Sequence, residues 1–191
     1  MTEGPHLERL REAIDREARG HRALLDRDDE AARAALADAS AGYRASWELA
    51  PPASYGRLIG ALKAAVLAGD ATEVAAYVRG QIPAPTGPPA AYALAIAALV
   101  AGDDAEAAER ARVMREGSDA FVRAADAIAA LAARDAPAYA AAVRAIVTDF
   151  EGRDAHLTGV AIADTALMLE RLAEPRGLAA HPSSALLPQK A

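Results

Sequence analysis

The stretch from Asp149 to His156, Asp-Phe-Glu-Gly-Arg-Asp-Ala-His, is the part of the sequence richest in side chains that can do chemistry. Asp149, Arg153 and His156 would share one face of a helix that continued through Gly152. They could then form an acid–base or ligand-contacting cluster, because histidine titrates near neutral pH. If Gly152 instead ends the helix, these charges form a solvated terminus, with Arg153 near the negative end of the helix dipole. We favour the solvated terminus.

A further candidate is Asp164, which lies between the apolar residues Ile162 and Ala166 near the start of the last helical segment. In that position an aspartate is expected to cap the helix or to accept a hydrogen bond from the loop of the 150s, rather than to act in catalysis. The candidate contacts for a ligand or a partner are therefore Arg153, Asp154, His156 and Asp164. No residue is assigned a catalytic role.

Motifs for metal or phosphate chemistry are absent from the sequence, which has no His-Glu-x-x-His, P-loop or Gly-x-Ser-x-Gly pattern. A di-iron carboxylate site needs two Glu-x-x-His pairs, and only Glu3 and His6 have that spacing, across a proline near the terminus. Glu17 and His21 are four residues apart, which predicts a solvated or helix-stabilising pair. We therefore predict no metal and no cofactor, and the chain is expected to be non-enzymatic.

The composition excludes several classes of protein. The 191 residues carry a formal net charge of −6, which opposes binding to the phosphate backbone of nucleic acids. The absence of cysteine excludes disulfides, thiol nucleophiles and thiolate metal sites. The first residues lack the apolar run of a signal peptide. We expect a bacterial-type cytoplasmic protein that binds neither nucleic acid nor membranes.

Helices are the elements that must position these residues. Apolar residues make up 53% of the chain and are mostly alanine, whereas aromatic residues make up 4%, which favours closely packed helices over strands. The segment from Pro88 to Gly102 carries no charge on any face, so it is predicted to be a central helix buried all round, with Leu99 fully buried. Tyr43 and Trp47 are expected to fill the core rather than to anchor a partner.

One type of helix–helix corner recurs along the chain. Asp28, Asp70, Asp103 and Asp135 each follow the end of an apolar helical segment, at intervals of 42, 33 and 32 residues. Intervals near 33 are typical of helix–turn–helix arrays. The predicted fold is all-α, a compact stack of antiparallel helical hairpins with a repeat-like period of about 33 residues, closed by a C-terminal helix and a non-helical tail.

The predicted helices lie at about 5–26, 28–48, 52–68, 70–82, 88–101, 104–116, 119–134, 136–152 and 160–174. Residues 1–176 are expected to form one helical domain, since this length suits a single core. Residues 177–191 are expected to form a tail that docks in part on that domain.

The C-terminal third resembles a known family. The segments Leu131-Ala-Ala-Arg-Asp135, 162–173, Arg176-Gly-Leu178 and Ser184-Ala-Leu-Leu-Pro188, over about 60 residues, resemble the ending of a family of helical immunity proteins from bacterial polymorphic toxin systems. The resemblance implies a protein that binds and neutralises a toxin, and it supplies no catalytic residue.

Two functions are therefore compared. The first is a non-enzymatic helical-repeat protein that binds another protein, with a toxin domain as the candidate partner. The second is a small-molecule-binding protein or an enzyme that uses the region from Asp149 to Asp164. A pocket on which Arg153, His156 and Asp164 converge would favour the second function, and an exposed groove or apolar patch would favour the first.

Overall fold

The computed structural model describes residues 4–84 and 86–189, and within these residues the protein consists of nine α-helices without any strand. The helices are α1 (Pro5–Asp26), α2 (Asp29–Leu49), α3 (Gly56–Ala68), α4 (Thr72–Gln81), α5 (Pro88–Ala101), α6 (Asp104–Met114), α7 (Asp119–Ala132), α8 (Ala136–Glu151) and α9 (Asp164–Ala173). A 3₁₀ turn at Glu174–Arg176 follows α9. The predicted all-α fold of antiparallel neighbouring helices is confirmed.

Helix α5 is the centre of the fold. It packs against α3, α4, α6 and α7, and every residue from Ala90 to Leu99 is buried. α9 closes the stack by lying against α3, α7 and α8. Among the described helices, none combines the length and the apolar composition that crossing a membrane would require. The sequence prediction of a central helix without an exposed face is confirmed.

The four predicted corners share one backbone geometry. The residue before each corner aspartate has positive φ, at 62° for Arg27, 106° for Gly69, 76° for Gly102 and 56° for Arg134. The carboxylates of Asp28, Asp103 and Asp135 each accept the backbone N–H three residues later at 3.0 Å, and thereby cap the next helix. A left-handed residue followed by an N-cap aspartate therefore reverses the chain within a few residues.

Replacement of Gly102 by valine is expected to destabilise the protein by about 1–2 kcal/mol, because a β-branched side chain is strained at φ of 76°. Gly80 offers a matched control, since it is exposed within α4 and an added Cβ would meet no atom within 4 Å. Urea denaturation should show little change for Gly80→Val. Equal stability of the two variants would contradict the corner geometry.

Two helices begin later than the sequence pattern predicted. α3 starts at Gly56 because Pro51 and Pro52 lie in a turn in which Ala53 has φ of 63°, unlike the proline pair that opens α5. α9 starts at Asp164 rather than near residue 160. The residues before it form a loop, 152–163, that runs across the ends of α8 and α9.

The described part of the tail, residues 177–189, lies against α8 and α9. The buried carboxylate of Glu170 accepts the backbone N–H groups of Ala180 at 3.0 Å and His181 at 2.6 Å, and it also accepts the Tyr139 hydroxyl. Leu187 is buried against the core. One carboxylate thus fixes the direction in which the tail leaves α9.

Candidate functional site

A cluster of charged and polar side chains lies where α1, α3 and α9 come together. Glu17 and His21 extend from successive turns of α1, Lys63 from the middle of α3 and Asp164 from the first turn of α9. Glu17 and His21 are 3% and 1% exposed. We call Glu17, His21, Lys63 and Asp164 the polar cluster.

Lys63 and Asp164 form a largely buried ion pair, with side chains that are 14% and 16% exposed. Lys63 Nζ also donates to Thr165 Oγ1 at 3.1 Å, and Asp164 Oδ1 accepts the backbone N–H of Thr165 at 2.7 Å. Burial alone would lower the pKa of Lys63 and raise the pKa of Asp164. Burial is the largest single influence on each group, but the nearby charges and the hydrogen bonds together outweigh it, so the pKa of Lys63 lies above its ordinary value and that of Asp164 below it. The pair is therefore charged at neutral pH.

Glu17 is the second carboxylate of the polar cluster. Its Oε2 accepts a 2.6 Å hydrogen bond from the Tyr43 hydroxyl, which reaches it because Gly60 leaves room for the Tyr43 ring. Burial raises the pKa of Glu17, and Lys63 and Tyr43 offset only part of that rise. Tyr43 is 2% exposed, so the expectation that it fills the core is met, and its hydroxyl also orients Glu17.

His21 is held from one side only. Its Nδ1 lies 3.1 Å from Thr158 Oγ1 in the loop 152–163, and its Nε2 lies 3.9 Å from Glu17 Oε1. Burial lowers the pKa of His21 to about 4, although Asp164 acts in the opposite direction. The imidazole is therefore neutral at pH 7.

Acidification from pH 7 to pH 5 is expected to remove about 2 kcal/mol of stability through His21. The pKa of about 4 lies below the value of about 6.5 in the unfolded chain, so the unfolded state binds the extra proton between these two values. The stability that neutral His21 contributes is complete above pH 6.5 and is lost as the pH falls. Glu17 has a raised pKa and works in the opposite direction, while the Lys63–Asp164 pair stays charged in this range.

Chemical denaturation of the wild type and of His21→Gln at both pH values isolates the contribution of His21. The variant should lose less stability on acidification by about the same 2 kcal/mol. Parallel losses in the two proteins would show that His21 is not buried in its neutral form.

A cavity opens next to the polar cluster, and a second cavity adjoins the first. An inner cavity of about 220 Å³ is lined by all four members of the cluster and by residues of the loop 152–163. An outer cavity of about 240 Å³ lies between α3, α7 and α8 and shares Phe150, Arg153 and Thr165 with the inner one. We call the two adjoining cavities the cleft.

The outer cavity combines an apolar wall with a charged rim. Its wall includes the side chains of Ile59, Tyr92, Phe121, Ile146 and Phe150, and its rim consists of Arg123, Asp149 and Arg153. Both guanidinium groups contact the carboxylate of Asp149 at 2.5 Å. Two guanidinium groups on one carboxylate leave a net positive charge and unused N–H donors at the rim.

Unpaired polar atoms are concentrated in this cleft. In residues 4–84 and 86–189, four buried side-chain nitrogen or oxygen atoms lack a hydrogen-bond partner, namely His21 Nε2, Tyr92 Oη, His156 Nδ1 and Arg79 Nε. The first three belong to residues that line the cleft. Because most buried polar atoms in folded proteins are paired, three such atoms in one place call for an explanation.

Three of the four residues that the sequence singled out meet in the cleft. Arg153, His156 and Asp164 all line the inner cavity, whereas Asp154 is exposed and lies outside it. Gly152 does follow the last residue of α8, yet Arg153 is not simply solvated, because its guanidinium binds Asp149 and lies 3.7 Å above the Phe150 ring. Asp164 bonds the backbone of its own helix and Lys63 rather than the loop of the 150s.

Two features of the site were not predicted from the sequence. Of the solvated or helix-stabilising pair expected at Glu17 and His21, the solvated form is wrong, because both side chains lie on the buried face of α1 with Ala13, Gly20 and Leu24. Lys63 was missed, although a lone lysine inside the apolar segment of α3, in a chain with two lysines in all, was a usable signal.

Glu17, His21 and Asp164 could together hold a metal ion. Each offers one ligand atom, and these atoms lie within 4.8 Å of one another. The pair Glu3 and His6, which has the Glu-x-x-His spacing in the sequence, lies partly outside the described residues, because Glu3 is not among them.

The chain was compared with protein families, curated proteins and solved structures. No protein-family model matches the chain, and no curated protein and no solved structure gives a match. The function is therefore argued from the chemistry of the cleft.

Proposed function

We propose that this protein binds a small molecule with an apolar body and a carboxylate in the cleft between α3, α7, α8 and the loop 152–163. The observation that carries the proposal is the presence of unpaired buried polar atoms on Tyr92 and His156, two residues that line the cleft. A buried donor or acceptor without a partner costs about 1–3 kcal/mol, and a bound ligand supplies the missing partner.

The outer cavity suits the apolar body of such a molecule. Apolar and aromatic side chains form its wall, and Tyr92 and Phe121 meet edge to face with ring centroids 5.9 Å apart. Small-molecule sites are typically concave and mostly apolar, with a few polar groups that fix the orientation of the ligand. A volume of about 240 Å³ accommodates a single ring with a short chain.

The charged rim suits a carboxylate. Arg123 and Arg153 share Asp149, so the rim is positive overall in a chain whose net charge is −6. The planar guanidinium group binds carboxylates in a bidentate geometry. Arg153 lines both cavities, so a carboxylate bound to it would lie at the entrance to the inner cavity that His156 also lines.

4-Phenylbutyrate and its neutral amide, 4-phenylbutyramide, test the proposal as a matched pair of probes. Calorimetry should show that the carboxylate binds with a Kd of roughly 0.1–1 mM, and about tenfold more tightly than the amide. Arg153→Gln should remove most of this discrimination. Arg33→Gln is the control, because Arg33 is exposed on α2 outside the cleft. Equal binding of the two probes by the wild type would contradict the proposal.

Binding to another protein is the second candidate function, as the resemblance to toxin-immunity proteins implies. The observation in its favour is Leu157, whose side chain is 77% exposed on the loop 152–163 at the edge of the inner cavity. If a toxin domain encoded beside this gene is the partner, Leu157→Asp should weaken that complex at least tenfold. Unchanged binding would exclude the loop as the contact.

A further inference from the structure

We propose that Glu17, His21 and Asp164 form a binding site for one transition-metal ion of the Zn²⁺ type at the base of the inner cavity. This site goes beyond the proposed binding of a carboxylate in the outer cavity and does not depend on it. The ligands would be Glu17 Oε1, His21 Nε2 and a carboxylate oxygen of Asp164.

The placement of the three residues suits coordination. Glu17 and His21 lie one helical turn apart on the same face of α1, and Asp164 approaches from α9. The three ligand atoms lie within 4.8 Å of one another, so shifts of side chains alone would bring them around one ion. All three residues line the inner cavity, which leaves room for a fourth ligand such as water.

Each ligand is oriented by a partner behind it. Glu17 Oε2 accepts the Tyr43 hydroxyl, Asp164 Oδ1 accepts the N–H of Thr165, and His21 Nδ1 lies 3.1 Å from Thr158 Oγ1. In the tautomer in which Nδ1–H donates to Thr158, the lone pair of His21 lies on Nε2. Metal-ligating histidines have this arrangement, with the second ring nitrogen held by a neighbouring group.

The unpaired atom of His21 is an observation independent of this clustering. Its Nε2 is buried, faces Glu17 Oε1 across 3.9 Å and has no hydrogen-bond partner in the part of the chain that the structure describes. The side chain is 2% exposed, so solvent does not supply the partner. A metal ion between these groups would satisfy Nε2 and the free oxygen of Glu17 together.

The types of ligand select the ion. Metal binding would deprotonate Glu17, whose pKa burial raises, and the two carboxylates would then balance a divalent cation, with the ammonium of Lys63 leaving one net positive charge. Lys63 would remain bonded to Asp164 as an outer partner. One imidazole with two carboxylates suits Zn²⁺ or Co²⁺, whereas Mg²⁺ prefers oxygen ligands in an octahedron.

Protein stripped with EDTA should bind one equivalent of Zn²⁺ per chain in calorimetry and should gain visible d–d absorption with Co²⁺. His21→Gln should weaken Zn²⁺ binding at least about a hundredfold. Thr158→Val, a change in a loop, should leave folding intact and weaken binding about tenfold by releasing Nδ1. The matched control is His181→Gln, which alters a histidine 3.6 Å from Glu170 and should leave binding unchanged.

The proposal is overturned if the wild type neither binds Zn²⁺ saturably nor gains Co²⁺ absorption, a result that needs no variant. It is also overturned if His21→Gln or Thr158→Val binds Zn²⁺ as tightly as the wild type does. Binding of 4-phenylbutyrate to the metal-free protein is measured separately, so failure of the metal site leaves the proposed function intact.

Discussion

Lys63→Met is expected to destabilise the protein by about 3–5 kcal/mol. The substitution removes the ion partner of Asp164, whose side chain is 16% exposed, and leaves its largely buried charge with only the hydrogen bonds from Thr165. The hydrogen bond from Lys63 Nζ to Thr165 Oγ1 is lost as well. Urea denaturation at pH 7 measures the loss, with Arg33→Met at an exposed position as the control that should change stability by less than about 0.5 kcal/mol.

The double variant Lys63→Met with Asp164→Leu distinguishes the effect of the charge of Asp164 from the effect of the packing of the Lys63 side chain. If the buried charge causes the loss, removing both charges should restore most of the stability, because an apolar pair of similar volume replaces a buried ion pair at little cost. A double variant as unstable as Lys63→Met would show that packing of the lysine chain, and not the charge of Asp164, determines the effect.

Leu99→Ala is expected to cost about 2–5 kcal/mol, the usual range for deleting a buried leucine side chain. Leu99 is 1% exposed in α5, which has neighbours on all sides. Its carbonyl also accepts a 2.9 Å hydrogen bond from Arg176, which the substitution leaves in place. Leu49→Ala, at a side chain that is 52% exposed, is the matched control and should be nearly neutral. A near-neutral result for Leu99→Ala would mean that α5 has a loosely packed face.

The sequence predicted the fold well where local chemistry determines the backbone. A left-handed residue followed by aspartate fixes each corner from within a few residues, and this pattern is visible at Gly102 and Asp103 without knowledge of the tertiary structure. The uncharged segment of α5 could be assigned to the centre because it has no polar face to expose. Proline pairs were less informative, because one pair opens α5 whereas Pro51 and Pro52 lie in a turn.

The site was predicted only in part, because its chemistry depends on contacts between residues far apart in sequence. Lys63 and Asp164 belong to different helices, and nothing local pairs them. Glu17 and His21 were expected from their spacing to form a solvated or helix-stabilising pair, although the apolar period of α1 runs through both positions. A pair of ionisable residues on the apolar face of a helix therefore indicates a buried polar site rather than a solvated pair.

The most direct test of the central claim, that the cleft binds a small carboxylate, is a ¹H–¹⁵N correlation spectrum recorded during titration with 4-phenylbutyrate. We predict saturable shifts of the backbone amides of Phe121, Phe150 and Thr165 and of the loop 152–163, since these residues surround the cleft. The amides of the corner at Gly69 and Asp70, which lie outside the cleft, should remain unchanged. Absence of saturable shifts, or shifts confined to residues outside the cleft, would contradict the claim.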